Sequence, residues 1–389
     1  MKSSSKRIVV ATGFALCLIG VFLFSGPALA QIKIGYHAPL TGPAAADGKS
    51  CKIAAEMAVE KLNKEGGVLG QKVELVIYDD QAKAEQAVPI ANKLVGQDKV
   101  KFAVSGSYSL PTRAAATIFQ QAKVPYITAY AVHPDITKAG NYMFRVEHLG
   151  PPQGRAGAKF IASNLGLKRV SAIIMDNDYG VSTAEGFKSA ADKLGLKIVN
   201  SYTYSLKDRQ FGSIVASVKA DNPDAVYITA YFFTAGPLVS QLRSAGVKVP
   251  IIGSQAFDAQ QFLDIAKETA EGVYNVGGFY RDRKDPELEV YIKEFEKRAG
   301  YPADNVSATS YSAIMLMADA IKRAKSTDPE KVRDTLSATR NYPLLTGLMA
   351  SFNKMGEFNK PMNINVVKNG KFQHYATIDD LDLLKAPEE

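Results

Sequence analysis

The stretch FAVSGSYSLPTRAAATIFQQAKVPYIT, residues 102–128, decides how the rest of the chain is read. Phe102 to Val104 is a short apolar run of strand type, Leu110 to Ala122 spaces its apolar residues at a helical period, and Val124 to Thr128 is again apolar and β-branched. Two strands bracketing a helix at this spacing form a right-handed parallel crossover, because parallel neighbours cannot be joined by a tight turn. Between the first strand and the helix stands Ser105-Gly106-Ser107-Tyr108-Ser109, and Pro111 sits in the first helical turn. Ser109 is expected as the helix N-cap, which leaves free N–H groups and the positive end of the dipole facing the loop. An anion can be held there without lysine or arginine. The plainer reading is that Ser109 only caps its own helix.

Upstream the same grammar holds. Ile32 to Tyr36 and Val73 to Tyr78 read as strands, and Ile53 to Leu62 and Ala84 to Val95 as helices. After Gly150-Pro151-Pro152 it restarts, with helices at 156–165, 184–194, 211–220 and 238–244 and strands at 170–175, 198–204, 225–229 and 249–253. The result is two α/β units of similar build, without a sequence repeat. The last third differs: helices at 287–299, 310–325 and 329–338 precede strands at 349–352, 364–367 and 372–375, with Asn369-Gly370 as a type I′ turn. This tail cannot all extend one unit, so the chain is expected to recross and make both units discontinuous.

Lys2, Lys6 and Arg7 precede an uncharged run from Ile8 to Phe24, then Gly26-Pro27 and Ala28-Leu29-Ala30. That order reads as a signal peptide over 1–30, cleaved before Gln31. Its removal lowers the formal net charge from +8 to +5, a mild balance that needs no nucleic-acid partner. Only Cys51 then remains, so no intramolecular disulfide is expected, and Cys51 reads as a buried helix residue. Enzyme signatures are missing from the sequence: no G-x-S-x-G elbow, no P-loop, no G-x-G-x-x-G after the first strand and no H-E-x-x-H. The four histidines, His37, His133, His148 and His374, are too scattered for a metal site and read as surface or hinge residues. Asp79-Asp80 reads as a strand-end cap. No cofactor and no catalytic residue is assigned.

Open α/β sheets bind ligands in the loops beyond their strand ends, and those loops here are aromatic. Tyr108 and Tyr130 follow strands of the first unit, and Tyr179 and Tyr231 follow strands of the second. Aromatic residues on corresponding edges imply an amphipathic cleft wall.

At this point the residues resemble a known family, the leucine/isoleucine/valine-binding proteins of ABC transporters, with the type I periplasmic-binding-protein fold. The resemblance covers the chain beyond residue 30. It rests on Ile34-Gly35 with Leu40-Thr41-Gly42-Pro43, on Asn63-Lys64-Glu65-Gly66-Gly67-Val68-Leu69-Gly70 and on Tyr78-Asp79-Asp80. It continues through Ala91-Asn92-Lys93-Leu94-Val95, Val124 to Thr128, Asp178-Tyr179-Gly180 and Tyr311-Ser312-Ala313. It implies an α/β fold of two lobes, each a parallel sheet flanked by helices, joined by three crossovers. The N-terminal lobe is expected at 31–148 plus 279–348, and the C-terminal lobe at 149–278 plus 349–389. By the same resemblance the ligand carboxylate meets the loop at Ser109 and the backbone of Tyr130, Ala131 and Val132. The faces and hydroxyls of Tyr179 and Tyr231 engage it on closure.

Two positions depart from the family pattern. Val132 stands where amino-acid binders carry a threonine for the carboxylate, and Gln255 stands where they carry an acid for the ammonium. A buried ammonium needs a charged partner, so either Asp47 or Asp258 supplies it or the ligand has no ammonium. The expected function is an extracytoplasmic, periplasmic receptor, a monomer that captures a small hydrophobic amino acid and presents it to an inner-membrane ABC permease. The alternatives are the same receptor for an aromatic or aliphatic carboxylate or amide, a sensor subunit, and a secreted hydrolase, for which the sequence supplies no nucleophile with a base.

Overall fold

The computed structural model of the protein describes residues 31–387, and the expected leader at 1–30 lies outside them. The first unit runs β1 (Ile32–Ala38), α1 (Ala45–Lys64), β2 (Val73–Asp79), α2 (Ala84–Gly96), β3 (Phe102–Ser105), α3 (Ser109–Gln121), β4 (Tyr126–Thr128), α4 (Asp135–Lys138) and β5 (Met143–Arg145). The second runs α5 (Gly150–Lys159), β6 (Arg169–Met175), α6 (Asp178–Ala191), β7 (Lys197–Tyr204), α7 (Gly212–Asp221), β8 (Ala225–Thr229), α8 (Phe232–Ser244), β9 (Ile251–Gly253), α9 (Gln260–Ala266) and β10 (Val273–Gly277). The tail comprises α10 (Pro286–Ala299), α11 (Asn305–Ala324), α12 (Pro329–Ser337), β11 (Arg340–Leu344), β12 (Gly347–Ser351), β13 (Met362–Lys368) and β14 (Lys371–Ile378).

The first sheet is parallel in the order β2-β1-β3-β4-β5, and the parallel part of the second has the matching order β7-β6-β8-β9-β10. The two units are therefore built alike although their sequences do not repeat. Central strands such as β3 and β8 are buried along their whole length, as parallel strands covered on both faces must be, while the edge strand β7 is mostly half-buried or exposed. β13 joins β10 antiparallel and β14 closes the edge, turning at Asn369-Gly370, where both residues have positive φ as a type I′ turn requires.

The chain passes between the sheets three times, after β5, after β10 and after β12. Helices α10 and α11 return to pack on α1, and α12 packs on α11. β12 pairs with β11 in a separate ribbon instead of entering the second sheet, so the expected boundary at 348 falls inside a strand. Strands β5, β10 and β11 were absent from the sequence reading. β5 is three residues long and gives periodicity little to register, whereas β9, equally short, falls inside the longer run read at 249–253.

The passages are tied together by buried polar groups. Arg145, fully buried, donates to Glu357 at 2.9 Å and to the carbonyls of Ala131 and His133. His148 Nε2 contacts the Lys360 carbonyl at 3.1 Å, and Asn363 donates to the Gly278 carbonyl at 3.1 Å. These bonds fix the pivot about which the sheets meet.

Candidate functional site

In both sheets the strand order reverses around the first strand, and the loops beyond the carboxyl ends there converge on one junction. Tyr108 ends the loop after β3, and Tyr231 ends the loop after β8; each is the extended residue just before its helix, with φ −80° and ψ 171° at Tyr108 and φ −86° and ψ 158° at Tyr231. Corresponding positions in two alike sheets thus project corresponding side chains, and the rings meet in a parallel stack with centroids 4.0 Å apart and planes 12° from coplanar. Tyr179, in the first turn of α6, extends the stack at 5.0 Å from Tyr231, and Tyr130 flanks Tyr108 at 6.0 Å. All four are buried. Burial pushes the hydroxyls of Tyr108, Tyr130 and Tyr231 well above the ordinary tyrosine range, so the rings are neutral.

Of the expected residues, Ser109, Ala131, Val132, Tyr179 and Gln255 lie here with their polar atoms disposed differently from the expectation. Ser109 is the first helical residue of α3, not its N-cap, and makes no capping bond. Its Oγ instead accepts the Val132 N–H at 3.2 Å, because the loop after β4 lies against the start of α3. The Val132 amide is therefore engaged within the protein, as is the Ala131 carbonyl by Arg145. The Tyr179 hydroxyl donates to Ser254 Oγ at 2.6 Å and accepts the Ala256 N–H at 3.4 Å, which leaves its ring face, not its hydroxyl, for the junction. Gln255 spans the junction: its Nε2 donates to the Tyr130 carbonyl at 3.3 Å and its Oε1 accepts from Gln153 at 2.8 Å. At the rim, Arg113 of α3 and Asp178 of α6 pair at 2.9 Å.

Asp47 lies in the first turn of α1, where Gly48 lets the helix start come against the β1 exit; a Cβ at Gly48 would sit 2.1 Å from the Pro39 carbonyl oxygen. Asp47 Oδ2 accepts the Tyr108 hydroxyl at 2.7 Å. Burial, reinforced by nearby Asp304, pushes its carboxyl up to about 8, against the pull of the Tyr108 bond. Asp258 is otherwise placed: it pairs with Arg281 and accepts the Asn305 N–H at 3.1 Å. Asp304 caps α11 and also accepts from Ser50 at 2.7 Å.

The sequence places Tyr108 in the aromatic cleft wall but gives it no ligand contact. The signal was available in its position, which matches that of Tyr231 one unit later. His37 is not a surface residue but is buried between Asp80 and Tyr126, whereas His148 lies, buried beside Glu147, at the first passage, where the hinge reading put it. Asp79 is the strand-end cap expected, accepting the N–H groups of Leu40 and Gln81. Cys51 is a buried helix residue. Among the described residues no helix is long and apolar enough to cross a membrane, and no group of three His, Cys, Asp or Glu is placed to hold a metal.

A family model described as periplasmic binding protein matches residues 31–371. The chain is 32% identical over 341 residues to the leucine-, isoleucine-, valine-, threonine- and alanine-binding protein of Pseudomonas aeruginosa, covering 87% of this chain and 90% of that one. Its fold matches the crystal structure of a leucine binding protein, LivK, from Thermotoga maritima, with a TM-score of 0.84 at 28% identity over 90% of this chain and 99% of that one. It also matches the branched-chain amino acid transporter substrate binding protein LivJ of Streptococcus pneumoniae, solved with isoleucine, with a TM-score of 0.83 at 26% identity over 90% and 99% of the two chains.

Proposed function

Because this chain belongs to the periplasmic binding protein family, we propose that it is an extracytoplasmic receptor that captures a small hydrophobic amino acid of branched-chain type between its lobes and delivers it to an ABC permease. The observation that carries this reading is the tyrosine stack across the junction, Tyr108 against Tyr231 at 4.0 Å. Each ring is also held within its own lobe, Tyr108 by Asp47 and Tyr231 by Tyr179, so the contact between Tyr108 and Tyr231 is the part that exists only when the lobes are closed. A ligand that touches both lobes favours that state over the open one, and closure follows as a shift of population. The work is done by binding, without a catalytic step, on a monomer in the periplasm.

The lobes are assigned as 31–148 with 279–351 and 149–278 with 352–387, the boundary moved from 348 because β12 belongs to the ribbon with β11. The ligand's alkyl chain meets the faces of Tyr179 and Tyr231, while its polar head meets the first lobe around Asp47, Ser109 and Tyr130.

Calorimetric titration with leucine, isoleucine, valine, phenylalanine and benzoate tests the reading. Binding of the branched-chain amino acids, recovered chemically unchanged, is expected. A second reading, an ammonium-free carboxylate as ligand, is favoured by Gln255, whose amide is committed to Gln153 and Tyr130, and by Val132. Binding of benzoate alone would replace the first reading with the second.

A further inference from the structure

Four buried carboxylates surround the junction: Asp47, Glu147, Asp258 and Asp304. Three have both oxygens engaged. Asp258 holds Arg281 and the Asn305 N–H, Asp304 holds Ser50 and the Ser307 N–H, and Glu147 holds His148 and the Asn305 side-chain amide. Asp47 differs. Its Oδ2 accepts the Tyr108 hydroxyl, but its Oδ1 is buried with no partner among the described residues, and the residue is 2% exposed.

An acid in the first turn of a helix ordinarily serves the helix by capping an N–H or meeting the dipole. The start of α1 has no side-chain capping bond, so that service does not explain the free oxygen. Ser107, one residue from the tyrosine that holds Asp47, is likewise fully buried with its Oγ unpartnered. A buried acceptor left unmatched keeps its full desolvation penalty, which a native site recovers only when something donates to it. The Tyr108 hydroxyl that donates to Asp47 Oδ2 at 2.7 Å belongs to the ring stacked on Tyr231, which sets the carboxyl at the edge of the ring stack.

Resting on the amino-acid reading above, we propose that Asp47 is the anchor for the ligand's ammonium group, taking over the part that Gln255 cannot perform. Gln255 carries no charge, and both ends of its amide are spoken for within the protein. Asp258 already has its cation in Arg281. An ammonium at Asp47 Oδ1 gains a charge-assisted hydrogen bond and lies beside aromatic faces, which attract cations. A divalent metal is a poorer fit, since it needs about six or more oxygen ligands and the described residues hold no such group. Asp47 stands on α1 of the first lobe, so the amine is captured in the open state, and closure then adds Tyr231.

Three probes with one skeleton separate the outcomes: L-leucine, 4-methylpentanoate without the amine, and 3-methylbutylamine without the carboxylate. Wild-type protein is expected to prefer leucine over 4-methylpentanoate by about a hundredfold or more, and Asp47→Asn to shrink that preference to within about tenfold. An unchanged preference in Asp47→Asn overturns the assignment of Asp47 and leaves the amino-acid receptor standing. Wild-type binding of 4-methylpentanoate with no binding of leucine overturns the receptor reading and the anchor with it. A measurement on the wild type alone guards against misfolding of the variant. The Asp47 carboxyl, held up to about 8, is mostly protonated near neutral pH and must ionise to meet an ammonium. Calorimetry in two buffers of different ionisation enthalpy should therefore show about one proton released per leucine bound near neutrality, and affinity should rise with pH toward 8. Leucine binding with no proton release overturns the proposal.

Discussion

Tyr231 shows how much one backbone position decides. Its extended φ and ψ at the start of α8 turn the ring out of the second lobe and onto Tyr108 and Tyr179, and its burial depends on both neighbours. Truncation to alanine removes the middle of the stack. Tyr231→Ala is expected to weaken ligand binding by more than about tenfold, roughly 1.4 kcal/mol, in a titration with leucine. Unchanged affinity would mean that the ring does not close over the ligand. At this scale the sequence named Tyr179, Tyr231 and Asp47, but it could not say which of their atoms were free. Ser109 is the clearest case. Its position invited a capping role, and its hydroxyl in fact serves Val132. The choice between those acceptor roles depends on how closely the loop after β4 approaches, and nothing adjacent in sequence records that distance.

Helices tell a consistent story about what periodicity can and cannot find. The helices α2, α7, α10 and α12, and also α3 at the junction, begin within one residue of where apolar spacing put them. The helices α1, α5, α6, α8 and α11 begin five to eight residues earlier than that spacing indicated. Their first turns are rich in groups such as Asp47, Ser50, Gln153, Thr183, Thr234, Asn305 and Ser307, which look like solvent-facing loop yet are buried. A helix that points its N-terminus at a lobe junction buries polar residues, and a pattern based on hydrophobicity starts counting too late. The missed turns coincide with the site. One of them can be tested directly: Asn177 caps α6 by accepting the Gly180 N–H at 2.8 Å, and so fixes the turn that carries Tyr179. Asn177→Ala should lower stability by about 1 kcal/mol in denaturant unfolding. It should also loosen leucine binding, since the Tyr179 ring loses its support. A loss of stability with binding intact would separate the cap from the site.

On the scale of the whole molecule, the passages between lobes carry the largest single stake. Arg145 leaves the end of β5 fully buried, pairs with Glu357 of the third passage, and holds the carbonyls of Ala131 and His133 beside the site. Removing one member of such a pair strands a buried charge. Arg145→Met should therefore destabilise the protein by about 3–5 kcal/mol, whereas the double variant Arg145→Met with Glu357→Leu should recover much of that loss. Thermal denaturation of the three proteins checks it, and equal losses in single and double variants would show that the carbonyl contacts matter more than the ion pair. The half-buried Arg113–Asp178 pair across the rim is of another kind, worth about 1 kcal/mol or less because solvent still reaches and screens it.

The sequence by itself determined two α/β units with parallel sheets, a recrossing tail, the Asn369-Gly370 turn and the aromatic character of the strand-end loops. These follow from local rules, the alternation of strand and helix periods and the stereochemistry of particular residues, which operate over a few neighbours. Only the tertiary structure decided that Tyr108 meets Tyr231, that Gln255 and Asp258 are already satisfied, and that Asp47 keeps an oxygen free. Whether a buried polar group has a partner depends on residues as far apart as Asp258 and Asn305. Such pairs are brought within reach by the packing of distant segments against one another, which the local pattern of the sequence does not encode.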